Sequence, residues 1–511
     1  MRVATIDIGT NSFHLLVADV HPDGAIHTIE TARSQVMLGS GGLEQHRLSD
    51  EAIERGLAAL RSFKSAADTL AAEEIYATAT SAVREAANGS DFCATVKAET
   101  GIHVRVISGL DEARLIWLGV RPALDFSRGP VLAFDVGGGS TEFIVGDSDS
   151  TALVTSLHLG HIRLTDRFRR SDPISPDDYA AMRKHVRNEL APLARKLKGI
   201  SLGSVVGTSG TARCLARMAV AARTGMVPDH EEGLVLTRKE VDRLLDRLAG
   251  TPSDELVRLP GMDMRRKDTL LAGAVLVREV LRAASADHLT TSERSLREGL
   301  VVDWVMNHRP EIDLSRDHMP RERSVLLAMQ RFGVDRPHAE QVTRLALAIF
   351  DGTARLHRLA SSDRELLRDA ALLHDIGHHI SGQGHHRHGQ YLLKHIRMYG
   401  FSSTEVALLG NLVRYHTGGR PRRKNEDFGA LSRDEQRRVR VMAGILQMAD
   451  ALDRSHNQPI RSLDVSTHSG QLRLRAIAED GGDVERWAAD QRRTLLEETL
   501  GLPLQIEVEG A

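Results

Sequence analysis

Two stretches of the chain superpose without a gap at an offset of 128 residues: Val3-Ala-Thr-Ile-Asp7-Ile-Gly9-Thr-Asn-Ser12-Phe-His-Leu-Leu-Val17-Ala-Asp19 and Val131-Leu-Ala-Phe-Asp135-Val-Gly137-Gly-Gly-Ser140-Thr-Glu-Phe-Ile-Val145-Gly-Asp147. The entry valine, the central aspartate, glycine and serine, and the exit valine and aspartate are the same in both. Each copy reads as an apolar strand, a tight turn of small and polar residues, and a second apolar strand. So long a period excludes a solenoid. It predicts two related lobes, each opening on a β-hairpin whose turn exposes backbone N–H groups.

With 511 residues, and roughly 150 per domain, the chain has room for three or four domains. It is 41% hydrophobic, 27% charged and only 4% aromatic, which predicts globular cores of Ala, Leu and Val and disfavours an aromatic platform for single-stranded nucleic acid. Lys and Arg total 67 against 69 Asp and Glu, a net charge of −2, so no global field draws in a polyanion. Any anionic ligand must be held by a local patch, and no specific nucleic-acid partner is expected. Cys93 and Cys214 form neither a CxxC zinc motif nor a disulfide framework, which fits a reducing cytoplasm. The first residues read as a strand rather than an export signal, and apolar runs such as Leu270 to Val277 fall far short of the roughly 18 residues that span a bilayer. The expectation is a soluble, cytoplasmic protein with no membrane partner.

Around the hairpins the order is α/β. The first lobe, taken as residues 1–125, continues with strand signal at Ala25 to Leu38 and a helix over Asp50 to Ala72, whose Ile53, Leu57, Leu60, Phe63, Ala67 and Leu70 step by three or four. Strands at Ile75 to Thr80 and Val104 to Ile107 flank a helix beginning near Asp91, and another helix begins near Asp111. The second lobe, taken as residues 126–306, adds a long helix over Pro176 to Leu197, a strand at Ser204 to Gly207 and helices to about Val305. The His-, Pro-, Asp- and Arg-rich segment from Asn307 to Pro320 reads as a boundary. Beyond it, residues 316–460 show helical spacing alone, and residues 461–511 read as a small α+β tail with alternating Leu472-Arg-Leu474-Arg-Ala476, a charged helix from Val484 to Leu500 and a last strand from Leu504 to Val508.

Three turns can hold anions. In Asp135-Val-Gly137-Gly138-Gly139-Ser140-Thr-Glu142 the glycines let a phosphate approach the backbone N–H groups. Its partner Asp7-Ile-Gly-Thr-Asn11-Ser12-Phe13 would alone pass as a plain hairpin turn. Gly207-Thr208-Ser209-Gly210-Thr211 follows an apolar strand and opens a helix, where free N–H groups also suit phosphate. Neither hairpin has the Gly-Lys-Ser/Thr of a Walker loop, so phosphate charge must be met by a metal or by arginine. Asp7, Asp135 and Glu142 are hard oxygen ligands suited to Mg2+.

These stretches, together with Thr78-Ala-Thr-Ser-Ala-Val-Arg84, Ile107-Ser-Gly-Leu-Asp-Glu112, Leu259-Pro-Gly and Leu296-Arg-Glu-Gly-Leu300, resemble the exopolyphosphatase and guanosine pentaphosphate phosphohydrolase family of the actin-like ATPase superfamily. The resemblance runs in order over residues 1 to about 305, and the following helical region resembles the family's long forms. It implies two actin-like, ribonuclease H-like lobes around a cleft that releases orthophosphate from the end of a phosphoanhydride chain. Glu112 matches the carboxylate that orients and deprotonates the attacking water. Taken by itself, without the resemblance, it reads as the acid a helix N-terminus favours, as does Asp111 beside it. Arg84 matches an arginine on the phosphoryl group, supported by Arg266. Asp7, Asp135 and Glu142 match the metal and water ligands, and Asn11, Ser12, Phe13, Gly137, Gly138, Gly139 and Ser140 offer N–H groups to phosphate, as do Thr208, Ser209 and Gly210. A homodimer is also implied by the family.

The chain carries 24 histidines. In the helical region His338, His374-Asp375 and Asp450 follow the order His, His-Asp, Asp, which resembles HD phosphohydrolases. Two imidazoles and two carboxylates can hold a first-row divalent metal, and His378, His386, His388 and His416 could extend the set to a second ion. The same residues also suit a scaffold that keeps its histidines in hydrogen bonds. Arg420-Pro-Arg-Arg-Lys424 reads as a solvated loop or as a track for a long phosphate chain. The leading expectation is an Mg2+-dependent exopolyphosphatase acting on inorganic polyphosphate. Its alternatives are a guanosine pentaphosphate 5′-phosphohydrolase with a guanosine tetraphosphate product, an HD-type nucleotide phosphohydrolase and a nucleotide-clamping regulator.

Overall fold

The computed structural model describes residues 1–511 apart from Asp23, Ala25, residues 41–44 and 310–319, Arg397, Tyr399, Ser469, Asp480, Gly481 and Ala511. The boundary expected between Asn307 and Pro320 therefore lies mostly outside the described residues. Two compact units result, Met1–Pro320 and Arg321–Ala511.

The first unit holds two sheets of the same design. Strands β1 (Arg2–Ile8), β2 (Phe13–Val20), β3 (Ile26–Ser34), β4 (Glu74–Ala79) and β5 (Val104–Val106) lie in the order β3-β2-β1-β4-β5. Strands β6 (Val131–Val136), β7 (Thr141–Gly146), β8 (Thr151–Leu157), β9 (Ser204–Gly207), β10 (Val235–Thr237) and β11 (His288–Thr291) lie in the order β10-β11-β9-β6-β7-β8. In each, the hairpin and the strand after it are antiparallel, and the first hairpin strand pairs in parallel with an inner strand. The repeat is thus structural: Ile8 faces Phe13 across the first turn as Val136 faces Thr141 across the second, again 128 residues on. A Cβ on Gly9 would sit 2.8 Å from the Ser12 carbonyl oxygen, which leaves room there for glycine alone, and one on Gly137 would sit 3.0 Å from that of Ser140, a contact nearly as tight.

Most expected elements form close to where periodicity places them, with three corrections. The single helix expected over Pro176 to Leu197 is two, Pro176–Glu189 and Ala191–Leu197, because Pro192 cannot donate into a continuous helix. Short strands β10 and β11 replace part of the stretch read as helical, being too short to show alternation. Thirdly, the lobes do not divide at the expected boundaries. Helix Leu296–His308, placed in the second lobe by its position, buries Val301, Trp304 and Val305 against Val3, Leu16, Ala18 and Val20 of the first sheet. Conversely helix Gly109–Val120 buries Ala113, Ile116 and Trp117 with Val131, Ala133 and Ile144 of the second.

In the second unit helices Arg336–Gly352, Ser361–Leu373, His385–His395, Ser403–Tyr415 and Arg433–Ala451 surround one core. The expected separate tail is part of it. Strands β12 (Ile460–His468), β13 (Gln471–Ala478) and β14 (Leu504–Gly510) form a small sheet whose Leu472, Leu474 and Ala476 share that core with Val342, Ile349 and Leu446. Among the described residues no helix is long and apolar enough to cross a membrane.

Candidate functional site

The two hairpin tips meet. A Cβ on Gly138 would lie 3.0 Å from Cβ of Thr10, and Gly139 abuts Ser81 at the start of helix Ser81–Glu85, whose Oγ is 2.8 Å from Thr10 Oγ1. The cleft beside them holds about 850 Å³ of empty space. Asp7, Asn11, Ser12, Glu112, Asp135, Gly137, Gly138, Ser140, Thr208, Ser209, Gly210 and Arg266 all line it. Phe13 does not: its ring is fully buried and packs on Gly56, as a strand residue on the core face must. Gly139, Arg84 and Glu142 stand behind the lining.

One wall is crowded with carboxylates. Ser108 caps helix Gly109–Val120 through Asp111, which leaves Glu112 one position further on to turn into the cleft, only 8% exposed. Arg84 Nη1 is 3.3 Å from Glu112 Oε2 and 2.8 Å from the Ile107 carbonyl oxygen. Thr208 and Ser295 donate to the same Asp135 oxygen, at 2.5 and 2.7 Å, and Ser156 donates to Glu142 at 2.8 Å. Asp7 Oδ1 is buried without a hydrogen-bond partner among the described residues. Burial, and then the Asp135 carboxylate, push Asp7 up to about 7; burial and then Asp135 push Glu142 up to about 7. Burial and then Glu142 hold Glu112 well above the usual carboxylate range, against the pull of Arg84. Such crowding is relieved by a bound cation. Yet Asp7, Asp135 and Glu142 do not close into a tight three-ligand cage: among the described residues, the metal-competent triplets whose atoms lie within 4.8 Å of one another are all in the helical unit.

The other wall is cationic and short of partners. Arg266 is 8% exposed, and its guanidinium lies against Gly210 at the start of helix Gly210–Thr224. Its contacts are distant, 3.4 Å to Thr211 Oγ1 and 3.7 Å to Asp263. A cation at a helix N-terminus meets the positive end of the dipole, so both call for an anion between them. Arg33 Nε and Nη2 are buried without a partner among the described residues, and burial followed by Arg266 lowers its pKa to about 10. Arg213, Arg297, His14 and His161 complete this wall. Burial, then Arg266 and Arg33, drive His161 down to about 3, and burial with Arg297 and Arg33 drives His14 well below neutrality, so both imidazoles are neutral. Sequence reasoning had not assigned these five. Arg297 and His14 stand inside the stretches already singled out and Arg213 two residues beyond one, whereas Arg33 and His161 carry no local signal.

Two independent similarities bear on this cleft. Residues 16–308 match the Ppx/GppA phosphatase family, more than half of the chain, and residues 321–481 match domain III of the Ppx/GppA phosphatases. The chain belongs to the Ppx/GppA phosphatase family. As a member it is a phosphoanhydride hydrolase. It is 28% identical over 515 aligned residues to a guanosine-5′-triphosphate,3′-diphosphate pyrophosphatase of Photobacterium profundum, covering 99% of this chain and 97% of that protein. An exopolyphosphatase from Cytophaga hutchinsonii is 33% identical with a TM-score of 0.57, covering 61% of this chain and 100% of its own. The Aquifex aeolicus member of the Ppx/GppA family is 32% identical with a TM-score of 0.52, covering 60% and 99%.

In the helical unit His338, His374, Asp375 and Asp450 come together, the four residues that the resemblance singled out, with His378 and His416 beside them. His386 and His388 do not join the clustered ligand groups. Their place is taken by His385, whose Nε2 is 3.1 Å from that of His416. Successive helical residues point about 100° apart, so with His385 facing the cluster His386 turns away, and His388, on the same face as His385, stands almost one turn further along the helix.

Proposed function

We propose that this Ppx/GppA phosphatase is an exopolyphosphatase that removes the terminal orthophosphate from inorganic polyphosphate. The observation that carries this reading is Arg266, a buried, underpaired cation held over a helix N-terminus on a wall with Arg33, Arg213 and Arg297. The described lining is glycine, hydroxyl, amide, carboxylate, imidazole and guanidinium groups with a few aliphatic side chains, which suits successive phosphates better than a purine ring. The terminal phosphoryl group would lie against the tips, on N–H groups of residues 9–12 and 137–140.

Glu112 accepts a proton from the attacking water, whose oxygen adds to the terminal phosphorus as the bond to the bridging oxygen breaks. Its raised pKa makes it a stronger base than an exposed carboxylate. Arg84, expected on the phosphoryl group itself, holds the Glu112 carboxylate from behind the lining, and the arginine wall takes up the charge on the departing chain. Mg2+ fits the opposite wall, where Asp7 with its unpartnered oxygen, Asp135 and Glu142 would hold it directly or through water, and it would supply charge neutralisation at the phosphoryl oxygens.

Hydrolysis of guanosine pentaphosphate is the second reading, favoured by the full-length similarity to the Photobacterium profundum enzyme. Orthophosphate release measured from long-chain polyphosphate and from guanosine pentaphosphate, at equal concentrations of phosphate ends, separates the two. The polyphosphate rate is expected to dominate in the wild type. Glu112→Gln should lower release by about 10²–10⁴-fold while leaving polyphosphate binding within a few-fold. Near-normal turnover in that variant would remove Glu112 from the mechanism.

A further inference from the structure

The helical unit contains a cluster that the phosphatase cleft leaves without a role. His338 comes from helix Arg336–Gly352, His374 and Asp375 follow helix Ser361–Leu373, His385 opens helix His385–His395, His416 follows helix Ser403–Tyr415 and Asp450 lies near the end of helix Arg433–Ala451. His338, His374 and His416 are at most 1% exposed.

Four rings of the cluster are held the same way round. His374 Nδ1 lies 2.7 Å from the Ala371 carbonyl oxygen, His416 Nδ1 2.7 Å from that of Val413 and His385 Nδ1 3.0 Å from that of Gly382, while His338 Nδ1 is 2.7 Å from the Asp453 carboxylate. An acceptor opposite Nδ1 favours a proton there and turns Nε2 towards the cluster, the orientation of a metal-ligating imidazole. The Nε2 atoms of His338 and His374 face each other at 3.1 Å, and so do those of His385 and His416. Two facing nitrogens at this distance share either a proton or a metal ion, and carboxylate oxygens converging on the same atoms give a metal its further ligands. Metal–nitrogen bonds of about 2.1 Å set at right angles would place two nitrogens roughly 3 Å apart.

Asp375 links the two pairs. Its Oδ2 is 3.6 Å from His374 Nε2 and 3.9 Å from His338 Nε2, and its Oδ1 is 3.2 Å from His416 and 3.4 Å from His385. Asp450 Oδ1 is 3.6 Å from both His338 and His374. His378, half-exposed, brings its Nε2 to 3.6 Å from Asp375 Oδ1.

We propose that these residues form a dinuclear centre for first-row divalent metals, bridged by Asp375, that binds a phosphoryl anion across the two ions. His338, His374 and Asp450 complete one position, and His385, His416 and His378 the other. Three of the ligands, His338, His374 and His416, are deeply buried imidazoles, and nitrogen donors select a transition metal over Mg2+. Two divalent ions outweigh the combined charge of Asp375, Asp450 and the supporting Asp453, and the excess faces outward beside His378. A carboxylate-bridged pair of ions about 3.5–4 Å apart is close enough for two oxygens of one phosphoryl group to span it.

The test uses the full chain, stripped by chelator and reloaded with Mn2+. Electron paramagnetic resonance should show an exchange-coupled ion pair carrying nitrogen couplings from imidazole. Asp375→Asn should abolish the exchange coupling, and His416→Ala should leave one uncoupled ion, with both variants keeping the wild-type circular dichroism. Should His416→Ala fail to fold, His385→Ala, at a more exposed position, reads the same ion. Added orthophosphate should perturb the coupled signal equally in the wild type and in Glu112→Gln. An uncoupled wild-type signal would overturn the two-ion centre. The absence of any imidazole-bound ion would overturn the site itself, and a coupled signal indifferent to orthophosphate would overturn the phosphoryl assignment.

Discussion

Arg266 shows how a single side chain can be costly to the fold and useful to the site. It is almost wholly buried, yet its polar contacts are long and it sits at the wrong end of a helix dipole. Burial lowers its pKa, the direction expected of a cation removed from water without a close partner. Arg266→Met, similar in length and apolar, should therefore leave the apo-protein as stable as wild type or raise its Tm by a few degrees. The same change should reduce orthophosphate release by about 10²–10³-fold, the range for losing one preorganised donor to developing charge. A fall in Tm measured without phosphate would mean that Arg266 is structural instead. Glu279 presents the opposite case. Its side chain is fully buried, and although burial pushes its pKa up, hydrogen bonds from Arg187 and Arg282 outweigh that and hold it below the usual value. A depressed carboxylate stabilises the fold above its unfolded pKa, and the contribution disappears as pH falls through the folded pKa. Glu279→Gln should cost on the order of 1–3 kcal/mol at neutral pH, with the gap to wild type closing below about pH 4 in denaturant titrations.

At the level of elements, the hairpins and the helices that cross between the lobes do different work. The hairpins carry the ligating groups at their tips. Helices Gly109–Val120 and Leu296–His308 bury their apolar faces on the sheet of the other lobe, and the first of them aims Glu112. Trp304 anchors the second: it is fully buried, donates from Nε1 to Glu74 at 2.8 Å and stacks on His308. Beside it Asp303 accepts from Tyr76 at 2.9 Å and pairs with Arg114 at 2.7 Å. Trp304→Ala should destabilise the first unit by about 3–5 kcal/mol, and Trp304→Phe, which keeps a ring but loses the donor, by about 1–2 kcal/mol. Chemical unfolding followed by circular dichroism measures both. Equal losses would show that the bond to Glu74 matters more than the packing.

Considered as a whole, the molecule comprises two units, each with its own closed core. Calorimetry should resolve two unfolding transitions, each responding to its own ligand by mass action. Orthophosphate with Mg2+ should raise the one that Trp304→Ala lowers, and Mn2+ alone should raise the one that Asp375→Asn leaves unchanged by metal. A single transition moved equally by both would mean that the units unfold together.

The duplication, the glycine turns and the order His, His-Asp, Asp were legible in the amino acids, because each is a pattern of residue types along the chain, whereas Glu112 stood out only through the family resemblance. Local patterns set which residues stand at a turn or on one face of a helix. Three things needed the folded chain. Arg33 and His161 reach the cleft from elements with no motif of their own. His385 rather than His386 completes the histidine cluster, which the angular step of a helix decides. Helix Leu296–His308 joins the lobe farther from it in sequence, since burial rewards whichever apolar surface is near in space and takes no account of separation along the chain.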